Sequence, residues 1–188
     1  MKTSGFTVRG IMFSAMFAAL LVALSFVNIQ LGISPVPITL VNFVIMLSGA
    51  LLGPKYGFFS VFSVVLLTAL GLPLLHGAGG PTLLFGPTGG FIWAYPFVAL
   101  FIGWIIRHVT VKGIAGFLLV FFIMLIFGSG LLYVTGVPWL AHSAQISLGK
   151  ALVLGCYPYL IGDAIKAFTS AVIVQSIFYQ TGGPIIKN

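Results

Sequence analysis

Apolar residues run along this chain in long blocks, and Gly, Pro and scattered charges cut the blocks apart. Six blocks emerge, at roughly 10–28, 38–53, 56–72, 87–106, 113–135 and 148–178. A bilayer core takes about 20 apolar residues per helix, so each block is predicted to be a transmembrane helix. Strands of a membrane barrel would alternate in polarity, and these blocks do not. The breaks fall at Ser34-Pro35-Val36-Pro37, Gly53-Pro54-Lys55, the stretch from Gly77 to Gly90, Arg107 to Gly113, and Gly136-Val137-Pro138. Lys2 and Arg9 ahead of the run from Ile11 to Val27 imitate a signal peptide. That run is long enough to span and further hydrophobic blocks follow it, so it reads as an uncleaved first span. The expected fold is an all-α integral membrane protein of six transmembrane helices, with residues 1–188 as one membrane domain.

Charge sets the direction of the spans. With both termini on one side, that side collects Lys2, Arg9, Lys55, Arg107, Lys112 and Lys187, while the opposite loops hold Lys150 alone. The excess of cations on cytoplasmic loops therefore predicts cytoplasmic termini and a multi-pass plasma-membrane protein.

Composition supports this and removes other classes. Hydrophobic residues make up 60% of the 188 positions and charged ones 5%, against about 25% charged in soluble domains. The net charge of +7 comes from cations scattered singly, so nucleic acid is not an expected partner. Asp163 is the one carboxylate side chain, which excludes enzymes built on paired acids. His76, His108 and His142 fall in different loops without Cys or carboxylate neighbours, so no metal site is expected. No G-x-x-x-x-G-K-[ST] occurs, and the chain has no site of its own for hydrolysing ATP. The halves show no self-similar repeat of the kind that marks many secondary carriers.

Three features remain as candidate chemistry. Asp163 and Lys166 lie three apart in the sixth block, hence on one helical face, where a charge costs roughly 2.5–3.5 kcal/mol to insert. They form either a binding centre or a self-neutralising structural pair; Gly155, Pro158 and Gly162 just before them loosen the helix and free backbone groups toward a cavity. The stretch Gly77 to Gly90 holds six glycines in fourteen residues. It reads as a ligand-contacting loop leading into a helix start at Pro87, or as a packing loop or lid. Phe91, Trp93 and Tyr95 follow it as packing, interface or pocket aromatics. Ala15, Ala19 and Ala23 in the first block are spaced four apart, which lets another helix come close, either within the chain or from a partner. Gly49 and Gly53 repeat that spacing in the second block.

Taken together and in order, the motifs resemble one family. They are Val36-Pro37-Ile38-Thr39-Leu40, Gly49-Ala50-Leu51-Leu52-Gly53-Pro54-Lys55-Tyr56-Gly57, Gly71-Leu72-Pro73, Leu84-Phe85-Gly86-Pro87-Thr88-Gly89-Gly90-Phe91 and Gly162-Asp163-Ala164-Ile165-Lys166-Ala167. This pattern resembles the BioY family, the biotin-specific substrate-binding subunits of energy-coupling factor transporters. One departure is Thr39-Leu40-Val41-Asn42, where the family pattern often reads Thr-Leu-Gln-Thr, so Asn42 is the expected substitute for the missing amide. The resemblance implies a transport subunit, not an enzyme, that captures biotin from outside. It implies no cofactor in this chain, a transmembrane coupling subunit and two cytoplasmic ATPases as partners, and ATP hydrolysis by those partners. Asp163, Lys166, Asn42 and Thr39 are then expected to meet the substrate from the second and sixth blocks. Gly79, Gly80, Thr88, Gly89, Trp93 and Tyr95 are expected to meet it from the Gly-rich stretch and the helix that follows. Ala15, Ala19 and Ala23 become the expected contact with the coupling subunit. A proton-coupled carrier using Asp163 as its relay, working without ATPases, is the alternative from another class; a non-transporting scaffold is a third.

Overall fold

A computed structural model describes residues 5–30, 32, 34–109 and 113–186. The cations Lys2, Lys112 and Lys187, used above to orient the chain, lie outside the described residues. The chain is a helical bundle with one two-residue hairpin pairing, β1 (Asn28–Ile29) with β2 (Ile38–Thr39), antiparallel. Its helices are α1 (Val8–Ser25), α2 (Val41–Ala69), α3 (Pro81–Leu84), α4 (Gly89–Ile106), α5 (Gly113–Ile123), α6 (Leu131–Ser143), α7 (Leu148–Gly155) and α8 (Leu160–Thr181). A π-helical turn, Met124–Gly130, joins α5 to α6, and a 3-10 turn, Tyr157–Tyr159, joins α7 to α8. Among the described residues, five helical segments are long and apolar enough to cross a membrane.

Local chemistry accounts for the boundaries. Thr7 caps α1 by accepting from the Gly10 amide at 3.1 Å, and Ser147 caps α7 through the Lys150 amide. Pro81 opens α3, where its missing N–H costs nothing. Gly182, in the left-handed region at φ 70°, ends α8.

Within α2 the backbone leaves helical geometry at Gly53 (φ 78°, ψ 178°), ahead of Pro54. Two helical stretches meet there across a kink. The kink is sharp enough that a Cβ added to Gly57 would come within 2.9 Å of the Gly49 Cα and the Ser48 carbonyl. Eight residues of straight helix would hold Gly49 and Gly57 about 12 Å apart, so the chain has folded back on itself.

The closest helix seam runs between α2 and α4. A Cβ at Gly49 would lie 2.5 Å from the Ala99 carbonyl oxygen, and one at Gly103 would lie 2.6 Å from the backbone at Gly53 and Pro54. Each helix thus offers small residues four apart, Gly49 and Gly53 against Ala99 and Gly103, letting the backbones touch where lipid gives no hydrophobic drive. Helix α1 packs on α2 through polar small residues: Ser14 Oγ donates to the Tyr56 carbonyl at 3.2 Å, and Ser60 Oγ donates to the Ser14 carbonyl at 2.9 Å.

Two spans differ from the sequence expectation. The expected break at Gly136-Val137-Pro138 is absent: helix continues through the π turn to Ser143. Gly136 packs against the Phe91 ring, and a Cβ at Gly90 would lie 2.9 Å from the Thr135 carbonyl, so this stretch lies tight against α4 and stays helical with Pro138 inside it. The sixth block is interrupted at Cys156, where Pro158 and the 3-10 turn separate α7 from α8.

Candidate functional site

Several loops and helix ends converge on one cavity at an end of the bundle. The segment before α2 brings Val36, Pro37 and Thr39, the 70–80 loop brings His76, and the start of α4 brings Thr88. Phe91, Ile92 and Tyr95 line it from α4, Leu132 and Tyr133 from α6, and Tyr159, Asp163 and Lys166 from the α7–α8 break onward. The interruption at Cys156 matters here because it lets α8 begin beside the cavity, with Asp163 in its first turn.

Asp163 is the centre of a closed polar group. Its Oδ1 accepts from Asn42 Nδ2 at 2.9 Å and from Lys166 Nζ at 3.0 Å. Lys166 Nζ also donates to Asn42 Oδ1 at 3.1 Å, which completes a triangle across α2 and α8. Its Oδ2 accepts from the Tyr133 hydroxyl at 2.5 Å. The carboxylate and ammonium side chains are 7% and 12% exposed, so the pair is largely removed from water and is held by hydrogen bonds on every side. Capacity remains for a ligand. An ionised carboxylate offers about four lone-pair sites and an ammonium three hydrogens. Asp163 uses three of its sites here, and Lys166 two of its hydrogens.

The walls around this centre are apolar and aromatic, with Phe91, Ile92, Tyr95 and Leu132 among them. The Tyr159 hydroxyl is tied to Ser34 Oγ at 3.0 Å and to the Val36 carbonyl, which fastens the loop before α2 to the start of α8. Open space within the walls is about 60 Å³. Sites for drug-sized molecules run from about 300 Å³ upward, so the cavity as it stands is small for such a ligand.

Of the residues expected from sequence, Asp163, Lys166, Asn42, Thr39, Thr88 and Tyr95 line the cavity. Gly79, Gly80, Gly89 and Trp93 lie outside that lining. Gly79 packs on the backbone of Leu72, Gly80 (φ 83°) donates its amide to the Thr68 carbonyl at 2.7 Å, and Gly89 packs near the Trp139 indole. The Trp93 indole donates to the Leu84 carbonyl at 3.2 Å and is 44% exposed on the opposite side of α4. Ala15, Ala19 and Ala23 are exposed along α1, while Ser14, Phe17, Leu21 and Ser25 form its buried face.

Sequence reasoning missed His76, Tyr133 and Tyr159. Tyr159 had a signal, since it precedes Asp163 by four residues, one turn in the continuous helix expected for the sixth block. Tyr133 had none, because a π turn just upstream shifts the register of α6.

A membrane-embedded helical bundle with a buried, hydrogen-bonded charge pair in an aromatic cavity defines a small-molecule binding protein of the membrane. The chain belongs to the BioY family, whose profile matches residues 1–181. The biotin transporter BioY of Lactococcus lactis is 35% identical over 96% of both chains. A probable biotin transporter BioY of Bacillus subtilis is 39% identical over 87% of each. Among solved structures, the fold is similar to the 2.1 Å crystal structure of the S-component for biotin from an ECF-type ABC transporter. That similarity has a TM-score of 0.86 at 34% identity, covering 95% of this chain and 97% of the other.

Proposed function

We propose that this chain takes up biotin as the substrate-specific subunit of an energy-coupling factor transporter. The observation that carries the reading is the Asp163–Asn42–Lys166 triangle inside an aromatic cavity, in a chain whose BioY relatives are biotin transporters. Biotin's ureido ring offers two N–H donors and one carbonyl acceptor. An N–H meets the remaining acceptor site of Asp163 at Oδ2, and the third Lys166 hydrogen meets the ureido carbonyl. Phe91, Tyr95 and Ile92 wall the bicyclic body and valerate chain.

The finer architecture we infer has six spans and cytoplasmic termini. The Gly53 kink and the contact of Gly57 with Gly49 support counting α2 as two spans. Arg9, Lys55 and Arg107 on one set of loops support the orientation. A transmembrane coupling subunit and two cytoplasmic ATPases complete the transporter, ATP being hydrolysed by those partners. The exposed line of Ala15, Ala19 and Ala23 is the coupling face, because a partner helix can reach the α1 backbone there.

Equilibrium binding of radiolabelled biotin to the purified chain tests the reading, together with uptake in cells that carry or lack the coupling subunit and ATPases. Tight binding, with ATP-dependent uptake when the partners are present, is the expected result. Uptake by the lone chain driven by a proton gradient would replace it with a secondary carrier.

A further inference from the structure

The polar triangle accounts for one end of biotin and leaves the other without a partner. The ureido ring and the valerate carboxylate stand at opposite ends of the molecule, so both cannot rest on Asp163, Asn42 and Lys166. A second carboxylate beside Asp163 would also be repelled by it. What the far end needs is a hydrogen-bond donor on a different element, and a cationic donor also offsets its charge.

His76 is such a group. It lines the same cavity from the 70–80 loop, and its backbone is in the left-handed region at φ 57°, where few non-glycine residues sit although His enters it more readily than most. Three hydrogen bonds fix that conformation. The His76 amide donates to Ser25 Oγ at 3.3 Å, Nδ1 lies 2.7 Å from the Ser25 carbonyl oxygen, and Ser25 Oγ donates to the Leu74 carbonyl at 2.8 Å. The Leu75–Ala78 bridge closes the turn around it. Because a carbonyl only accepts, Nδ1 carries the hydrogen, and Nε2 is the nitrogen that can meet a ligand. A strained backbone conformation held by its surroundings is a mark of a site where orientation matters.

Resting on the biotin reading, we propose that His76 binds the substrate carboxylate through a protonated Nε2, so that substrate capture takes up a proton. Burial pushes the ring's pKa below the ordinary value, and the hydrogen bond to the Ser25 carbonyl opposes this. An incoming carboxylate raises it again. The bound state therefore holds more protons than the free one. Affinity is greatest below the free-site pKa and falls as pH rises from there toward the bound-state pKa. The other titratable groups lining the cavity are Tyr95 on α4, Tyr133 on α6, Tyr159 before α8, and the mutually paired Asp163 and Lys166. The end of α1 and the 70–80 loop itself, which hold His76, contribute Ser25, Leu74 and Leu75, none of which titrates.

The test compares biotin with biotinol, its alcohol analogue, on the parent and on His76→Gln, between about pH 5 and 8. The expected result is a loss of roughly ten- to a hundredfold in biotin affinity at the acid end for the variant. Biotinol affinity should stay nearly constant across both proteins, which also shows that the variant is folded. The pH dependence of biotin binding should disappear with His76. Calorimetry of the parent in two buffers of different ionisation enthalpy should report proton uptake with biotin and none with biotinol. Equal losses for the two ligands, a pH slope that survives in His76→Gln, or no proton uptake by the parent would each overturn the assignment while leaving biotin capture intact. A parent that binds neither ligand removes the biotin reading itself.

Discussion

Replacing Asp163 by Asn keeps the size of the side chain and removes one charge and one acceptor. The amide oxygen can stay where Oδ1 now accepts from Asn42 at 2.9 Å and Lys166 at 3.0 Å. The amide nitrogen then takes the place of Oδ2, where the Tyr133 hydroxyl and an incoming ureido N–H both require an acceptor. Lys166, with a side chain only 12% exposed, loses its counter-ion. Removing one partner of a desolvated charge pair costs about 2–5 kcal/mol in binding. That corresponds to roughly thirty- to several-thousand-fold in Kd, readable by equilibrium binding of radiolabelled biotin to purified protein. A double variant, Asp163→Asn with Lys166→Met, separates binding from stability. Removing both charges relieves the uncompensated ammonium, so thermal stability should recover while biotin binding stays lost. A folded Asp163→Asn protein that binds biotin like the parent would refute the contact, and a double variant that regains binding would reduce the pair to a structural link.

Other perturbations address other levels of the structure. Gly49→Leu forces a side chain into a gap where a Cβ alone would meet the Ala99 carbonyl at 2.5 Å; the loss should reach or exceed the usual 1–3 kcal/mol of overpacking, seen as a lower Tm in detergent. Ala15→Trp with Ala19→Trp alters the exposed face of α1, so biotin binding and Tm should hold while copurification with the coupling subunit and ATP-dependent uptake fail. Should Tm and binding drop together, the face packs within the chain. A reporter fused at the C-terminus should be active in its cytoplasmic form, and activity from the other side of the membrane reverses the orientation.

The sequence by itself determined the class of protein, because a chain with 5% charged residues and block after block of apolar residues has few places to fold other than a bilayer. It also placed Asp163 and Lys166 on one helical face, since three residues on a helix is a local distance, and the structure then showed them paired. The choice between Trp93 and Tyr95 was beyond it: residues two apart point to opposite sides of α4, and nothing in the run of aromatics says which side holds the cavity. Tertiary structure turned Tyr95 inward and Trp93 out. It brought Asn42 to Asp163 across 121 residues and, after the π turn, aimed Tyr133 at the same carboxylate. It likewise gave the glycines their separate uses, Gly49 and Gly103 for backbone contact, Gly53 for the kink, and Gly79 and Gly80 for loop packing. Local spacing fixes neighbours on one helix, whereas these contacts depend on how helices fold back and cross, which only the packed bundle decides.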